Sequence, residues 1–227
     1  MFKKFLSTFF LFLLLSACSH QQNWLVRHPK APQSPQKHEI GLVDLGDRWI
    51  AIRTSWFGQQ LKLTSGQIHD SLGTQLQNTI NSQLKSAFPQ HKFLTEDIYE
   101  LFAPTESFRL DSNIFAKLRL PAQGQKLDSV PQLMFIVHEL TIGPDIDPSF
   151  FFDHTQGGEI IKRKVQSISA IALWTLWDNH SQTNLITGVS DTELLYDYSL
   201  PLKPQIDTLL HQLVQNMNRE LAPSGSF

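Results

Sequence analysis

The chain has 227 residues, with 19 Lys and Arg against 21 Asp and Glu and 41% hydrophobic residues. A near-balanced, slightly acidic charge excludes the basic footprint that nucleic-acid binding requires. Charged residues make up only 18% of the chain, which excludes the dense ion-pair networks of hyperthermophile or halophile proteins.

The first element is a targeting signal. Lys3 and Lys4 give a short positive start, Phe5 to Leu15 form an apolar run, and small residues precede Cys18. The run is shorter than the roughly 20 apolar residues that cross a bilayer, so it is not a membrane span. Leu15-Ser16-Ala17-Cys18 resembles the lipobox of bacterial lipoproteins. The resemblance implies cleavage after residue 17, a diacylglycerol on the Cys18 sulfur and acylation of the new amino terminus. Cys18 is the single cysteine of the chain and cannot form an intramolecular disulfide. Several acyl chains at about 0.8 kcal/mol per buried methylene make attachment effectively permanent. By the same resemblance, Ser19 after the cysteine favours sorting to the outer membrane, with the domain facing the periplasm. Without Lys3 and Lys4 the mature chain keeps 17 basic and 21 acidic residues, a formal charge of −4.

Residues 18–47 read as a lipidated, Pro- and Gln-rich tether, because Pro29, Pro32 and Pro35 recur at intervals of three in a polar stretch. Such a segment favours extended polyproline II, at roughly 3.1 Å per residue, so the polar spacer of about 19 residues from Ser19 to Lys37 would reach on the order of 60 Å. A single domain is expected over 48–222, followed by a loose tail at 223–227. It begins with a strand over Arg48–Trp56 and a turn near Gly58. A helix is expected over 66–87, capped by Ser65. Its apolar residues Ile68, Leu72, Leu76, Ile80, Leu84 and Phe88 recur every four positions, a stripe that winds around the helix by about 40° per step. Its opposite face is almost all Ser, Thr, Gln and Asn.

Residues 89–130 suggest loops, a short helix near Glu96–Phe102 and a strand near Phe115. Gln132–Ile142 is apolar on both faces over much of its length and is expected to be a central strand. Two β-rich runs around Asp178-Asn-His-Ser-Gln-Thr-Asn184 predict a long antiparallel hairpin over about 164–195. Pro204 in a first turn, with Ile206, Leu209, Leu210, Leu213, Val214, Met217 and Leu221 at helical spacing, predicts a final amphipathic helix over 204–221. The fold class is α+β: a mostly antiparallel sheet with two main helices packed on one side. Trp177-Asp178, the polar turn and Leu185 to Gly188 resemble the hairpin of small periplasmic lipoprotein domains of the TolB amino-terminal, LpoB and CsgG-like group. That resemblance implies work by contact with envelope partners.

The chain carries no Gly-rich phosphate loop, His-Glu-x-x-His or nucleophile elbow. No catalytic residue, metal ligand or cofactor is assigned. The two-residue period of a strand puts His138 and Glu139 on opposite faces, unable to act on one atom. Asp145, Asp147, Asp153 and His154 could gather a cation or do acid/base work, but aspartates beside prolines are ordinary turn formers. Phe150, Phe151 and Phe152 in the same loop either plug the core or form an exposed contact loop for a partner or lipid. The expected function is a noncatalytic, membrane-anchored periplasmic lipoprotein that binds or positions an envelope partner. The alternatives are a carrier of an apolar ligand or a hydrolase or metal enzyme using the Asp145–His154 loop.

Overall fold

The computed structural model describes residues 24–95, 97–105, 108–111, 114–116, 118–122, 126–145 and 165–221. The lipobox and Cys18 lie outside them, as do Phe150, Phe151 and Phe152. The fold is α+β, with a sheet that is mostly antiparallel and includes some parallel pairs.

The long strands are β9 (Leu133–Pro144), β10 (Ser167–Asp178) and β11 (Thr183–Leu195), joined by antiparallel ladders. β9 is central as its composition predicts, since β10 lies on one side and two short parallel strands on the other. These are β2 (Ile40–Val43), opposite Leu133 to Phe135, and β3 (Trp49–Ala51), opposite Leu140 to Ile142. They occupy one lane, interrupted by residues 44–48. Arg48 bridges the interruption, donating from Nε to the Val137 carbonyl and from Nη2 to the Asp44 carbonyl. The order β1-β11-β10-β9-β2-β4 is completed by β1 (Trp24–Arg27) and β4 (His91–Leu94) at the two edges.

This order corrects the tether expected over 18–47. Residues 24–27 pair with β11, and every residue of Ile40-Gly-Leu-Val43 is buried between β9 and β4. Gly41 is required there, because a Cβ would lie 2.7 Å from Leu94 Cδ1 and 3.3 Å from Met134 Cγ. The Pro29–Pro35 stretch is thus a connection between two strands of one sheet. Composition cannot separate such a connection from a spacer, because a crossing loop and a free tether are both polar and Pro-rich. Among the described residues the sheet extends back to Trp24.

After β3 the expected strand gives way to helix α1 (Thr54–Leu61). Arg53 in the left-handed region (φ 56°) turns the chain out of the sheet, and Lys62 (φ 57°) ends the helix. Gly58, expected in a turn, lies inside it, where a Cβ would meet Ile68 Cδ1 at 2.7 Å. Helix α2 (Ser65–Ala87) follows within one residue of expectation. Its cap is Thr64 instead of Ser65, with the Thr64 backbone N–H and hydroxyl both donating to Gln67 Oε1. All six residues of its apolar stripe are buried against the sheet and against α4 (Leu202–Leu221), which runs two residues further back than expected and holds Pro204 in its first turn. Each such side chain contributes about 1.5–3 kcal/mol on burial.

The other face of the sheet has a second core. The segment from α3 (Asp97–Glu100) to Val130 brings Tyr99, Phe102, Leu118, Leu120 and Leu127 onto Met134, Ile136, Leu173 and Trp177. The same stretch contains the two-residue pair β5 (Ala103–Pro104) and β8 (Arg119–Leu120), and the pair β6 (Phe108–Asp111) and β7 (Ile114–Ala116). The β10–β11 turn fastens this cover: Asn179 accepts from the Leu127 N–H and donates to the Leu127 carbonyl at 3.0 and 2.8 Å.

Candidate functional site

The first polar cluster follows from a fault in the ladder. Leu173 faces Glu139 but Trp174 faces Val137, so His138 is an extra residue in β9. A bulge of this kind resets the alternation of side chains. His138 and Glu139 therefore lie on the same face, which corrects the expectation that they point apart. His138 Nε2 lies 2.9 Å from Thr175 Oγ1, Thr175 Oγ1 lies 3.1 Å from Thr187 Oγ1, and Asn184 Nδ2 donates to Thr187 Oγ1 at 2.7 Å. At the other end His138 Nδ1 is 3.5 Å from the Tyr99 hydroxyl, while Glu139 Oε1 accepts from Thr141. A line of polar groups thus crosses three strands beneath Tyr99. The Arg48 guanidinium sits 3.8 Å from the centre of the Tyr99 ring.

The electrostatics of this line favour neutral groups. Burial, with the Arg48 charge nearby, pushes the His138 pKa down to about 3. Burial pushes the Tyr99 hydroxyl up, against the charges of Arg48 and Arg119. His138, Thr175 and Thr187 are all buried. Their geometry satisfies buried hydrogen-bonding groups across the bulge, which unpaired would cost about 1–3 kcal/mol each.

A second cluster joins α4 to β11. Trp174 Nε1 donates to Ser190 Oγ at 2.7 Å, and Ser190 donates in turn to Glu220 Oε2 at 2.6 Å. Burial raises the Glu220 pKa to about 7; hydrogen bonding from Ser190 opposes this, Asp191 adds to it, and Arg219 opposes it. Asn216 donates to the Asp191 carbonyl, and Arg219 to Asn216 Oδ1. Arg27 of β1 donates to the carbonyls of Glu220 and Leu221 at 3.0 and 2.9 Å, which satisfies the end of α4 and complements its dipole.

The accessible geometry lies elsewhere, on the outer face of α2. Between α2 and α4 runs an open groove of about 640 Å3, walled by Gln67, Ser71, Thr74, Gln75 and Asn78 with Asp207 opposite. Gln75 Nε2 and Thr79 Oγ1 both donate to Asp207 Oδ1 at 3.0 Å, so two of its wall groups are fixed. On the other flank of α2, Asp44 Oδ1 accepts from Gly46 N, Gln77 Nε2 and Asn81 Nδ2. Burial raises the Asp44 pKa, but those hydrogen bonds and Arg48 outweigh it and hold the carboxyl below its usual value. Asn78 borders both depressions. The amide- and hydroxyl-rich composition read from the sequence is therefore one continuous accessible surface.

Of the Asp145–His154 loop only Asp145 is among the described residues. Its Oδ1 accepts from the N–H groups of Gln166 and Ser167 at 2.9 Å, and Oδ2 lies 3.8 Å from Arg53. With φ at 44° it is a turn residue, closing the end of β9 against the start of β10. Among the described residues no group of three His, Cys, Asp or Glu could hold a metal ion, and no helix is long and apolar enough to cross a membrane. Sequence reasoning missed the His138 line and the Ser190–Glu220 contact. The first required a bulge, which has no local signature here, and the second joins residues thirty positions apart.

No family model matches the chain, and no curated protein matches it. Among solved structures, the chain is similar to a PelC dodecamer from Paraburkholderia phytofirmans. That match has a TM-score of 0.37 and 8% identity and covers 89% of this chain and 100% of the other. A point variant of the same dodecamer in another crystal form gives a TM-score of 0.36 at 8% identity, over 88% and 98% of the two chains.

Proposed function

We propose that this chain is a noncatalytic lipoprotein, anchored to the outer membrane through acylated Cys18 and facing the periplasm, whose α+β domain binds or positions an envelope partner. The observation that supports contact over chemistry is the separation of its groups. The His138 imidazole and the Glu220 carboxyl, whose pKa values burial moves furthest, are packed into the sheet faces, whereas the open groove is lined mainly by neutral amides and hydroxyls beside Asp70, Lys203 and Asp207. Neutral polar walls of this kind suit the wet, hydrogen-bonded rim of a protein interface.

The pairing of Trp24 with β11 sharpens the anchoring. Cys18 lies six positions before Trp24, a stretch that spans at most about 22 Å at 3.3–3.6 Å per step. The domain is thus held against the membrane surface and does not range some 60 Å from it.

The test has two parts. Intact mass of the protein extracted from membranes should show a chain starting at Cys18 and carrying acyl groups, and Cys18→Ser should leave the membrane fraction. Crosslinking in cells should then trap a partner through probes at Thr74 and Asn78, lost in Asn78→Arg with the fold intact. An unacylated Cys18, or a folded Asn78→Arg chain that keeps every crosslinked partner, would overturn the corresponding half of the proposal.

A further inference from the structure

Among the described residues, three of the six exposed large apolar side chains fall in one short stretch of chain, whereas Val26, Ile50 and Leu101 lie apart from one another. Leu195 is 80% exposed, Leu200 53% and Tyr198 49%, and all three lie within six residues of chain at the end of β11 and in the loop to α4. Such residues scattered singly would need no account, but a local group of them does.

The loop is held rigidly in this exposed state. Buried Gln205 accepts from the Asp197 N–H at 2.9 Å and donates to the carbonyls of Asp197, Leu200 and Pro201 at 3.0–3.3 Å. Tyr198 Oη donates to the Val165 carbonyl at 3.0 Å, and its ring meets the Tyr196 ring edge-on at 4.6 Å. The carboxylate of Asp197 is engaged by the N–H and hydroxyl of Ser199 at 2.8 and 2.7 Å. A loop fastened by this many bonds presents its leucines instead of folding them inward.

The register of β1 shows which end of the molecule this is. Trp24 lies opposite Val189 and Arg27 opposite Ile186, so the chain enters β1 from the side on which β11 runs on to Leu195. Leu195 is six residues beyond Val189, about 20 Å along the strand. Cys18 is six residues before Trp24, within the same reach. The chain thus enters the sheet from the side of the exposed apolar group, and the six steps from Cys18 to Trp24 are long enough to reach it.

We infer that Leu195, Tyr198 and Leu200 form a membrane-facing contact that rests in the headgroup region of the bilayer and fixes the orientation of the domain. This rests on the anchoring proposed above. Tyrosine and leucine suit that position, the ring by its apolar body and polar tip and the leucines by their gain on leaving water. With this end on the bilayer, the molecule is held at two places, the lipid on Cys18 and the loop before α4.

The sole cysteine makes the test direct. Acylation consumes the Cys18 sulfur, so Leu195→Cys, Leu200→Cys and, as a distant control, Gln90→Cys on the exposed turn before β4 each supply one thiol. The lipidated full chain, labelled there with bimane, is reconstituted into phosphatidylethanolamine and phosphatidylglycerol vesicles with and without lipids brominated near the carbonyl. The labels at 195 and 200 should shift to the blue and lose most of their emission to the brominated lipid, and the label at 90 should do neither. Chains that float with the vesicles but leave 195 and 200 unquenched overturn the orientation while keeping the anchor. A blue shift without quenching marks a protein contact and also overturns it, as does equal quenching at 90. Chains that fail to float overturn the anchor and this inference with it.

Discussion

Replacing Glu220 with Gln should stabilise the fold at pH 8 and leave it little changed at pH 4. Glu220 Oε2 accepts the Ser190 hydroxyl, while Oε1 is buried with no hydrogen-bond partner among the described residues. Burial, reinforced by Asp191, raises the pKa from 4.5 to about 7. Between those two values the folded chain holds a proton that the unfolded chain has lost. Stability therefore falls as the pH rises through the window and levels off above it. At about 1.4 kcal/mol per pH unit, the wild-type chain loses up to about 3 kcal/mol across it. Glutamine keeps an acceptor for Ser190 and has no proton to lose. Urea unfolding of both chains from pH 4 to 8 should show their stability difference opening between pH 4.5 and 7 and then holding constant. A difference that does not change with pH would refute the assignment of the charge to this buried position.

Gly188→Ala should destabilise by about 1–3 kcal/mol, because the added Cβ would lie 2.6 Å from Trp174 Cζ2 and 3.1 Å from Leu25 Cδ1 in a packed core; the denaturant midpoint reads this. Thr175→Val should cost about 1–3 kcal/mol by leaving His138 and Thr187 short of a partner in the bulge line, again read by unfolding at pH 7. Because the His138 pKa is pushed down to about 3, the unfolded chain takes up a proton first: His138 adds stability above pH 6.5 that is lost as the pH falls from there towards 3, and a His138→Gln chain should show a shallower acid decline in the same assay. Arg27→Met should free the last carbonyls of α4 and cost about 1 kcal/mol, with faster hydrogen exchange along the β1–β11 ladder; unchanged exchange would argue against the docking of β1.

Local pattern made most elements readable. The period-four stripe from Ile68 to Phe88 marks α2 because helical burial depends on spacing alone, and the stripe of α4 does the same. The polar Asp178–Asn184 interval marks the β10–β11 turn because a hairpin needs only neighbours in sequence. The edges of these elements depended on single contacts, as with the Thr64–Gln67 bonds that move the start of α2.

By itself, the sequence determined the α+β class, the two long helices, the central strand and the hairpin, since each follows from periodicity within one segment. Only the tertiary structure decided that Trp24–Arg27 and Ile40–Val43 are strands of the sheet, because their ladder partners near residues 188, 94 and 134 lie far along the chain. It also decided that His138 and Glu139 share a face, since a bulge is a property of two paired strands and neither carries its signature alone. The same pairing decided that the chain enters β1 from the side on which β11 runs on to Leu195. That residues 24–43 belong to the domain was decided by the hydrogen bonds they find far along the chain.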